Sequence, residues 1–443
     1  MSKLDDHPSV IRHRSQPKAT PRQAIDAGWL RRLCLDLGAD DVGFVAVGRP
    51  EIDDQRDDIL RIYPWTKHLI GIVCRMNRES TRSVARSVAN LEFHHIGERT
   101  DEVAHQIVAA LEARGVRAVN PSMGFPMEAG QFPGKTWVVG HKPVAEAAGL
   151  GKMGIHRNVI HPRFGNFILL GTILVDAEIT EDSKPVEYNP CLGCKLCVAA
   201  CPVGAIASDG HFDFSACFTH NYREFMGGFT DWVEDVIESK DALDYRNRVS
   251  DAETVSVWQS LSFGPNYKAA YCMAVCPAGD DVIGPFLDDR PGHLQGVVDP
   301  LKGKRETLYV VPGSDAEAYA SKRFPHKTTK PVGNGARPGS IPSFLKLLPI
   351  VFQRHKSAGL DATYHFTFTG LEPAEATVVI RDKTIRVEEG HVGPANLKVS
   401  ADSQAWLGFL RKERSLVWAL LRRKIRLAGS PRLLVAFGKC FPS

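Results

Sequence analysis

The sequence has no window of eighteen uninterrupted apolar residues, and no apolar run follows its basic first residues. The first absence excludes a membrane-crossing helix. The second excludes a secretory or twin-arginine leader, because Lys3, Arg12, Arg14 and Lys18 lead only into polar sequence. A cytoplasmic protein is the expectation. Charge of one sign is also scarce: the formal net charge is +4 over 443 residues, so nothing points to nucleic acid as the main partner. Hydrophobic residues make up 43% and charged residues 24%, the balance of an ordinary globular protein. The length exceeds what one core supports and implies two or three domains.

What is present is a cysteine pattern. Cys191, Cys194, Cys197 and Cys201 stand in CxxCxxCxxxCP, and Cys272 and Cys276 repeat its ending as CxxxCP. This is the thiolate spacing of a bacterial iron-sulfur module. The two-residue gaps wrap three sulfurs around one cluster, and the three-residue gap carries the next sulfur onto a helix start, where it serves another. Cys191, Cys194, Cys197 and Cys276 are therefore assigned to one cluster, and Cys201 and Cys272 to a second. Zinc is the competing reading of CxxC, but the third equally spaced cysteine and the second CxxxCP weigh against it. Disulfides are disfavoured because no secretory segment supplies an oxidising compartment.

The second set is a ligand short. Cys217 adds a third thiolate, but the position three residues before Cys272 is Ala269. His220 is the nearest substitute by spacing, since imidazole replaces thiolate on some irons. A three-iron cluster and a water-ligated iron are equally open. The expected cofactors are thus two 4Fe-4S clusters, the second of them either 3Fe-4S or capped by something other than cysteine.

Residues 1–21 are polar, contain Pro17 and Pro21, and are expected to form a disordered arm. From there to about residue 180 the pattern alternates between helix and strand. Apolar residues at Ile25, Trp29, Leu30, Leu33 and Leu37 predict a helix ending at Gly38, and strands are expected at 41–47, 69–74 and 116–119. A helix is predicted over 99–114, and a strand pair over 164–176. This is an α/β domain. Cys34 and Cys74 lie among apolar neighbours and are expected to be core residues.

The segment from His141 to Asn158 carries Gly149, Gly151 and Gly154. Their spacing mimics a dinucleotide fingerprint, but a helix-like segment precedes them where that fingerprint demands a strand. Glycines here offer either close backbone approach to something flat or the closing of a helix onto a strand.

Together, AGLGxMGxHRNxxxPxFGxxxxLGxxLxD, CxxCxxCxxxCP and the later CxxxCP resemble the corrinoid and iron-sulfur reductases, a family that includes epoxyqueuosine reductases and reductive dehalogenases. The resemblance covers roughly residues 25 to 290. It implies a nitroreductase-like α/β domain that cradles cobalamin, with a ferredoxin-like module of two 4Fe-4S clusters relaying electrons to the cobalt. By this resemblance Gly149, Gly151 and Gly154 lie against the corrin, and His156 and Arg157 are its polar contacts. The chain departs from epoxyqueuosine reductases in having Val138-Val139-Gly140-His141-Lys142 where they carry an acidic proton donor, which puts a queuosine role in doubt. His141 becomes a proton-donor candidate by its pKa range. Tyr222 is another, with Arg223 as a partner that would lower the phenol's pKa.

Glycine and proline punctuate residues 301–340, expected to be an interdomain linker. Residues 341–443 change character. Alternation at Tyr364 to Phe368 and over Ala376 to Val387 predicts strands, with a turn at Asp382-Lys383, and a capped helix is expected after Asp402. VSADSQAWLGFL and KIRLAGSPRLLVAF resemble the sterol carrier protein 2 (SCP2) family. That resemblance implies an α+β, SCP2-like lipid-binding domain with Phe366, Phe368, Val379 and Ile385 as tunnel wall.

The domain expectation is therefore a 1–21 arm, a 22–180 α/β cobalamin-type domain, a 181–300 iron-sulfur module, a 301–340 linker and a 341–443 SCP2-like domain. The functional expectation is a reductase of a hydrophobic or lipid-like small molecule, fed by a ferredoxin- or flavodoxin-type donor. The alternative is a corrin-free electron-transfer protein with a lipid-binding module.

Overall fold

The structure, a computed structural model, describes residues 4–15, 24–121, 137–411, 413 and 415–442. Of the expected arm, residues 1–3 and 16–21 lie outside the described residues. Within it, Pro8–Ser15 is a helix with no buried side chain, so that part is helical where disorder was expected.

Four strands form the first sheet: β1 Asp41–Ala46, β2 His68–Arg75, β3 Ala118–Val119 and β4 Ile168–Val175. Their order is β1-β2-β4-β3 and every pairing is antiparallel. Side chains alternate across each strand. Ile70, Ile72 and Cys74 face α1 (Ala27–Asp36) and α2 (Arg86–Glu112), meeting Leu30, Cys34, Ile107 and Leu111. Leu69, Val73, Val45 and Leu174 face the other way, onto Val144 and Ala148 at α3 (His141–Ala147). Burial pushes the Cys34 thiol up to about 12, and as expected it packs as an apolar residue. The expected strand pair over 164–176 is a single strand, because His161 and Gly165 exchange backbone hydrogen bonds of 2.8 and 3.0 Å that close a tight loop before it.

Helix α3 reaches the sheet through paired glycines. Gly43 lies opposite Gly71 across β1 and β2; a Cβ on Gly43 would stand 2.1 Å from the Ala148 carbonyl oxygen. Backbone therefore rests directly on backbone, which fixes the His141–Asn158 segment against the sheet.

The next unit surrounds two short helices, α4 (Leu196–Ala200) and α6 (Tyr271–Ala274), with α5 (Phe214–Asn221) beside them. Leu196, Ala200, Val203, Ile206, Tyr271 and Val275 share one core with Leu301, Leu308, Val310, Ala316 and Ala320. The last five lie in the expected linker. Thr307–Val310 and Thr328–Pro331 pair as parallel strands, so the apolar residues between the prolines and glycines belong to this fold, and a tether is excluded at least to Pro331. Lys327 binds Glu306 at 2.6 Å with its side chain wholly buried, and the Tyr271 hydroxyl donates to the same carboxylate at 2.6 Å.

The last unit has α7 (Ile341–Val351), then β5 Ala362–Thr369, β6 Ala374–Arg381, β7 Thr384–Glu389, β8 Leu397–Asp402, α8 (Ser403–Leu410), β9 Ile425–Gly429 and α9 (Pro431–Lys439). The sheet order is β7-β6-β5-β8-β9, antiparallel except between β5 and β8. Asp382 and Lys383 both have positive φ, 50° and 59°, as a two-residue hairpin of matching twist requires. Phe366 and Phe368 are at most 2% exposed and lie 5.6 and 5.9 Å from the Trp406 ring. Phe344 packs on both. These residues fill a solid core where a tunnel wall was expected. Val379 pairs with Thr363 and lies on the opposite face, since side-chain parity alternates; Ile385 is partly buried against the core.

A Gly43→Ala substitution should destabilise the protein by at least about 2 kcal/mol, because the strand or α3 must shift. Gly48→Ala, where nothing lies within 4 Å, should be near neutral. Thermal unfolding of the two variants checks this.

Candidate iron-sulfur site

The Cys191 loop is wound by left-handed residues, Gly193 at φ 63° and Lys195 at φ 61°. It feeds α4, which carries Cys197, and Cys201 follows in extended backbone at the helix end. Helix α6 carries Cys272 and is followed by Cys276. Because α4 and α6 pack together, each CxxxCP unit gives its first sulfur to one side and its last to the other.

Cys191, Cys194, Cys197 and Cys276 line one small open-sided cavity, together with Ile155, His156 and Ala278. Burial pushes the Cys276 thiol up to about 12, with Cys194 and Cys191 adding repulsion. Such a gathering is unfavourable for bare thiolates and is repaid by a cationic cage. Among the described residues no three Cys, His, Asp or Glu side chains converge on a point that would suit a single ion; thiols spread around a cavity suit several irons instead. The four residues fit a 4Fe-4S cluster.

Cys201, Cys217 and Cys272 form the second set: after burial, Cys272 and Cys201 raise the Cys217 thiol, and Cys201 raises that of Cys272. Burial raises the Cys217 and Cys272 thiols, and both residues keep some accessible surface. Backbone N–H groups of the 203–206 turn point at Cys201, with Ala205 donating at 3.3 Å, as around a cluster thiolate. These three residues fit the second cluster.

His220 does not complete it. Its Nδ1 accepts the Tyr309 backbone N–H at 3.3 Å, and burial holds its pKa down to about 4. The neutral ring then carries its proton on Nε2, which has no hydrogen-bond partner and is a donor, not the lone pair that an iron ligand supplies. The spacing that nominated His220 is overruled by this tautomer. Ala269, which holds the CxxC position before Cys272, has its N–H bound to Asn221 Oδ1 at 2.8 Å.

Two residues beside this set escaped the sequence reading. Asn158 Nδ2 points at Cys272 Sγ from 3.9 Å. The Lys142 ammonium donates to Asn158 Oδ1 at 3.2 Å and to the Arg157 carbonyl at 2.6 Å, fixing which end of the amide faces the sulfur. The run His156, Arg157, Asn158 was visible as a unit, but the residue types that usually meet cofactors drew the choice to its first two members.

The other candidates are dispersed. His156 is buried and lines the first cavity. Its Nδ1 accepts from the Asn158 N–H at 3.1 Å, and burial, aided by Lys142, lowers its pKa to about 4. Its Nε2 lies 3.0 Å from the Asn166 side-chain nitrogen. Arg157 is exposed, with φ 63°. His141 Nδ1 bonds Thr172 Oγ1 at 2.8 Å. Tyr222 packs among Phe218, Phe225 and Tyr267, and burial raises its phenol well above the ordinary value. Arg223 turns away to Asp231 at 2.8 Å, so the expected Tyr222–Arg223 pair is not formed. The glycines close on their own chain: a Cβ on Gly149 would stand 2.2 Å from the Lys184 carbonyl oxygen, and one on Gly151 2.3 Å from that of Ile160. At Gly149 and Gly151 they let the chain pack against neighbouring backbone.

Residues 185–207 match the 4Fe-4S binding domain family. This stretch is an iron-sulfur binding segment. The chain is 38% identical over 86 residues to the epoxyqueuosine reductase of Aliivibrio fischeri, covering 19% of this chain and 23% of that protein. It is 26% identical over 208 residues to that of Gloeobacter violaceus, covering 45% and 59%. The chain thus matches less than two thirds of the length of these relatives. Among solved structures, the epoxyqueuosine reductase of Streptococcus thermophilus overlaps 42% of this chain and 54% of that one, at 16% identity and a TM-score of 0.32. A catabolic reductive dehalogenase overlaps 82% and 41%, at 15% identity and a TM-score of 0.37.

Cys194→Ser should remove about half of the bound iron and acid-labile sulfide. His220→Gln should leave iron content and both spin-resonance signals unchanged. Loss of the second signal in the latter variant would restore His220 as a ligand.

Proposed function

We propose that this chain is an iron-sulfur oxidoreductase that takes single electrons from a low-potential donor at the Cys191 loop and passes them inward to the Cys201, Cys217 and Cys272 site. The observation that carries this reading is the interlocked pair of CxxxCP helices, which holds two thiol sets side by side at different depths. When bound, the clusters supply one-electron storage and transfer. The loop from Leu192 to Lys195 offers an exposed apolar side chain and an exposed ammonium, a surface suited to an acidic ferredoxin- or flavodoxin-type donor. Lys142 and Asn158 place positive charge and a hydrogen-bond donor beside the inner sulfurs, favouring the more reduced state there and drawing electrons inward.

A nitroreductase-like ancestry for the α/β domain and an SCP2-like one for the last unit are inferred from the motif resemblance. Cobalamin has the same support; Gly149 and Gly151 pack on the carbonyls of Lys184 and Ile160, and no step is assigned to it. The close backbone packing at Gly149 and Gly151 supports the alternative, a corrin-free electron-transfer protein with a lipid-binding module, in which Phe366 and Phe368 pack against Trp406. The hydrophobic acceptor remains a proposal about the inner site's chemistry.

Oxygen-free protein should show broad cluster absorption in the blue that dithionite bleaches; absence of iron and acid-labile sulfide after reconstitution would overturn the reading. Corrin bands retained through gel filtration after cobalamin is supplied would assign the corrin. Lys142→Met should move the second cluster's midpoint potential to more negative values and leave the first unchanged, as followed by spin resonance in a redox titration.

A further inference from the structure

We infer that the second cluster presents one iron with no protein ligand, and that this iron is the exchangeable position at which a small oxygen donor, water or a substrate oxygen, binds. The inference rests on the two-cluster reading and narrows it to the inner site. Three thiolates, Cys201, Cys217 and Cys272, leave one corner of a four-iron cluster to something else. The corner set by CxxC spacing belongs to Ala269, whose methyl group offers no donor atom and whose backbone N–H is held by Asn221.

Several nearby side chains are committed, and the Asp213 carboxylate, which acts on Cys217, caps α5 by accepting the Ala216 N–H at 2.9 Å. Asn221 Oδ1 accepts the Ala269 N–H. His220 presents Nε2–H because Nδ1 accepts from Tyr309. Lys142 spends its ammonium on the Arg157 carbonyl and Asn158 Oδ1, and Asn158 turns its NH₂ to Cys272. The Tyr222 phenol sits in an aromatic cage of Phe218, Phe225 and Tyr267, an apolar setting that favours its neutral, weakly ligating form. Cys217 and Cys272 are only partly exposed, so a donor bound beside them would be partly screened from bulk solvent, with Lys142 and Asn158 as polar neighbours.

An iron held by sulfide and an exchangeable oxygen is lost more readily than one with a thiolate. Ferricyanide should take one electron from a 2+ four-iron cluster, which releases one Fe²⁺ and leaves a 1+ three-iron cluster. Dithionite and added Fe²⁺ should reverse this. The test is spin resonance of oxygen-free, full-length protein with ferricyanide. Wild type should develop a three-iron signal and lose about one iron per chain, and Fe²⁺ with dithionite should restore the original spectrum. Ala269→Cys, which supplies the missing thiolate, should suppress the three-iron signal while keeping both clusters. Ala269→Ser, similar in size, should behave closer to wild type. A wild-type second cluster that resists ferricyanide, or an Ala269→Cys variant that converts as fast as wild type, would overturn the inference alone. Iron for only one cluster in untreated wild type would instead overturn the two-cluster reading beneath it.

Discussion

The packing of α4 against α6 is the contact on which the rest depends. Each helix is about one turn long and neither would persist alone. Held together by Leu196, Ala200, Tyr271 and Val275, they bring sulfurs separated by some eighty residues of sequence around two shared spaces. Gathering those thiols in a buried setting costs free energy until iron neutralises them, so fold and cofactor stabilise one another. The surrounding elements serve that junction: Gly165 and Gly279 meet backbone to backbone, and Arg82 reaches the Ala274 carbonyl from the α/β domain. Tyr271, beside Cys272, is anchored through Glu306, whose carboxylate Lys327 and the Tyr271 hydroxyl hold below the usual range although burial opposes it.

The α/β sheet and the iron-sulfur segment were legible because their signals are local. Strands buried on both faces read as apolar runs, and thiolate spacing is dictated by cluster size. The hairpin at Asp382-Lys383 was legible for the same reason. Pairing of the sulfurs into two sets also followed from spacing, since a three-residue gap turns the fourth side chain away.

What escaped depended on geometry between distant residues. His220 has the right position in sequence, but the Tyr309 backbone, eighty-nine residues later, fixes its tautomer. Gly149 and Gly151 satisfy the spacing of a cofactor motif while their missing Cβ atoms make room for carbonyls of Lys184 and Ile160. Tyr222 and Arg223 are neighbours in sequence, yet Asp231 claims the guanidinium. Phe366 and Phe368 alternate as a tunnel wall would, and alternation cannot distinguish a wall from a filled interior. The linker expectation failed because punctuation by proline and glycine was weighed above the apolar residues between them.

The burial of Lys327 on Glu306 has a bearing on where such a chain can be cut. The strand pair ending at Pro331 is built into the iron-sulfur body, and Asp315 and Asp209 of that body bind Gln353, His355 and Arg354 beyond α7. An excision that took Glu306 would strip Tyr271 of its carboxylate anchor and loosen the helix that carries Cys272.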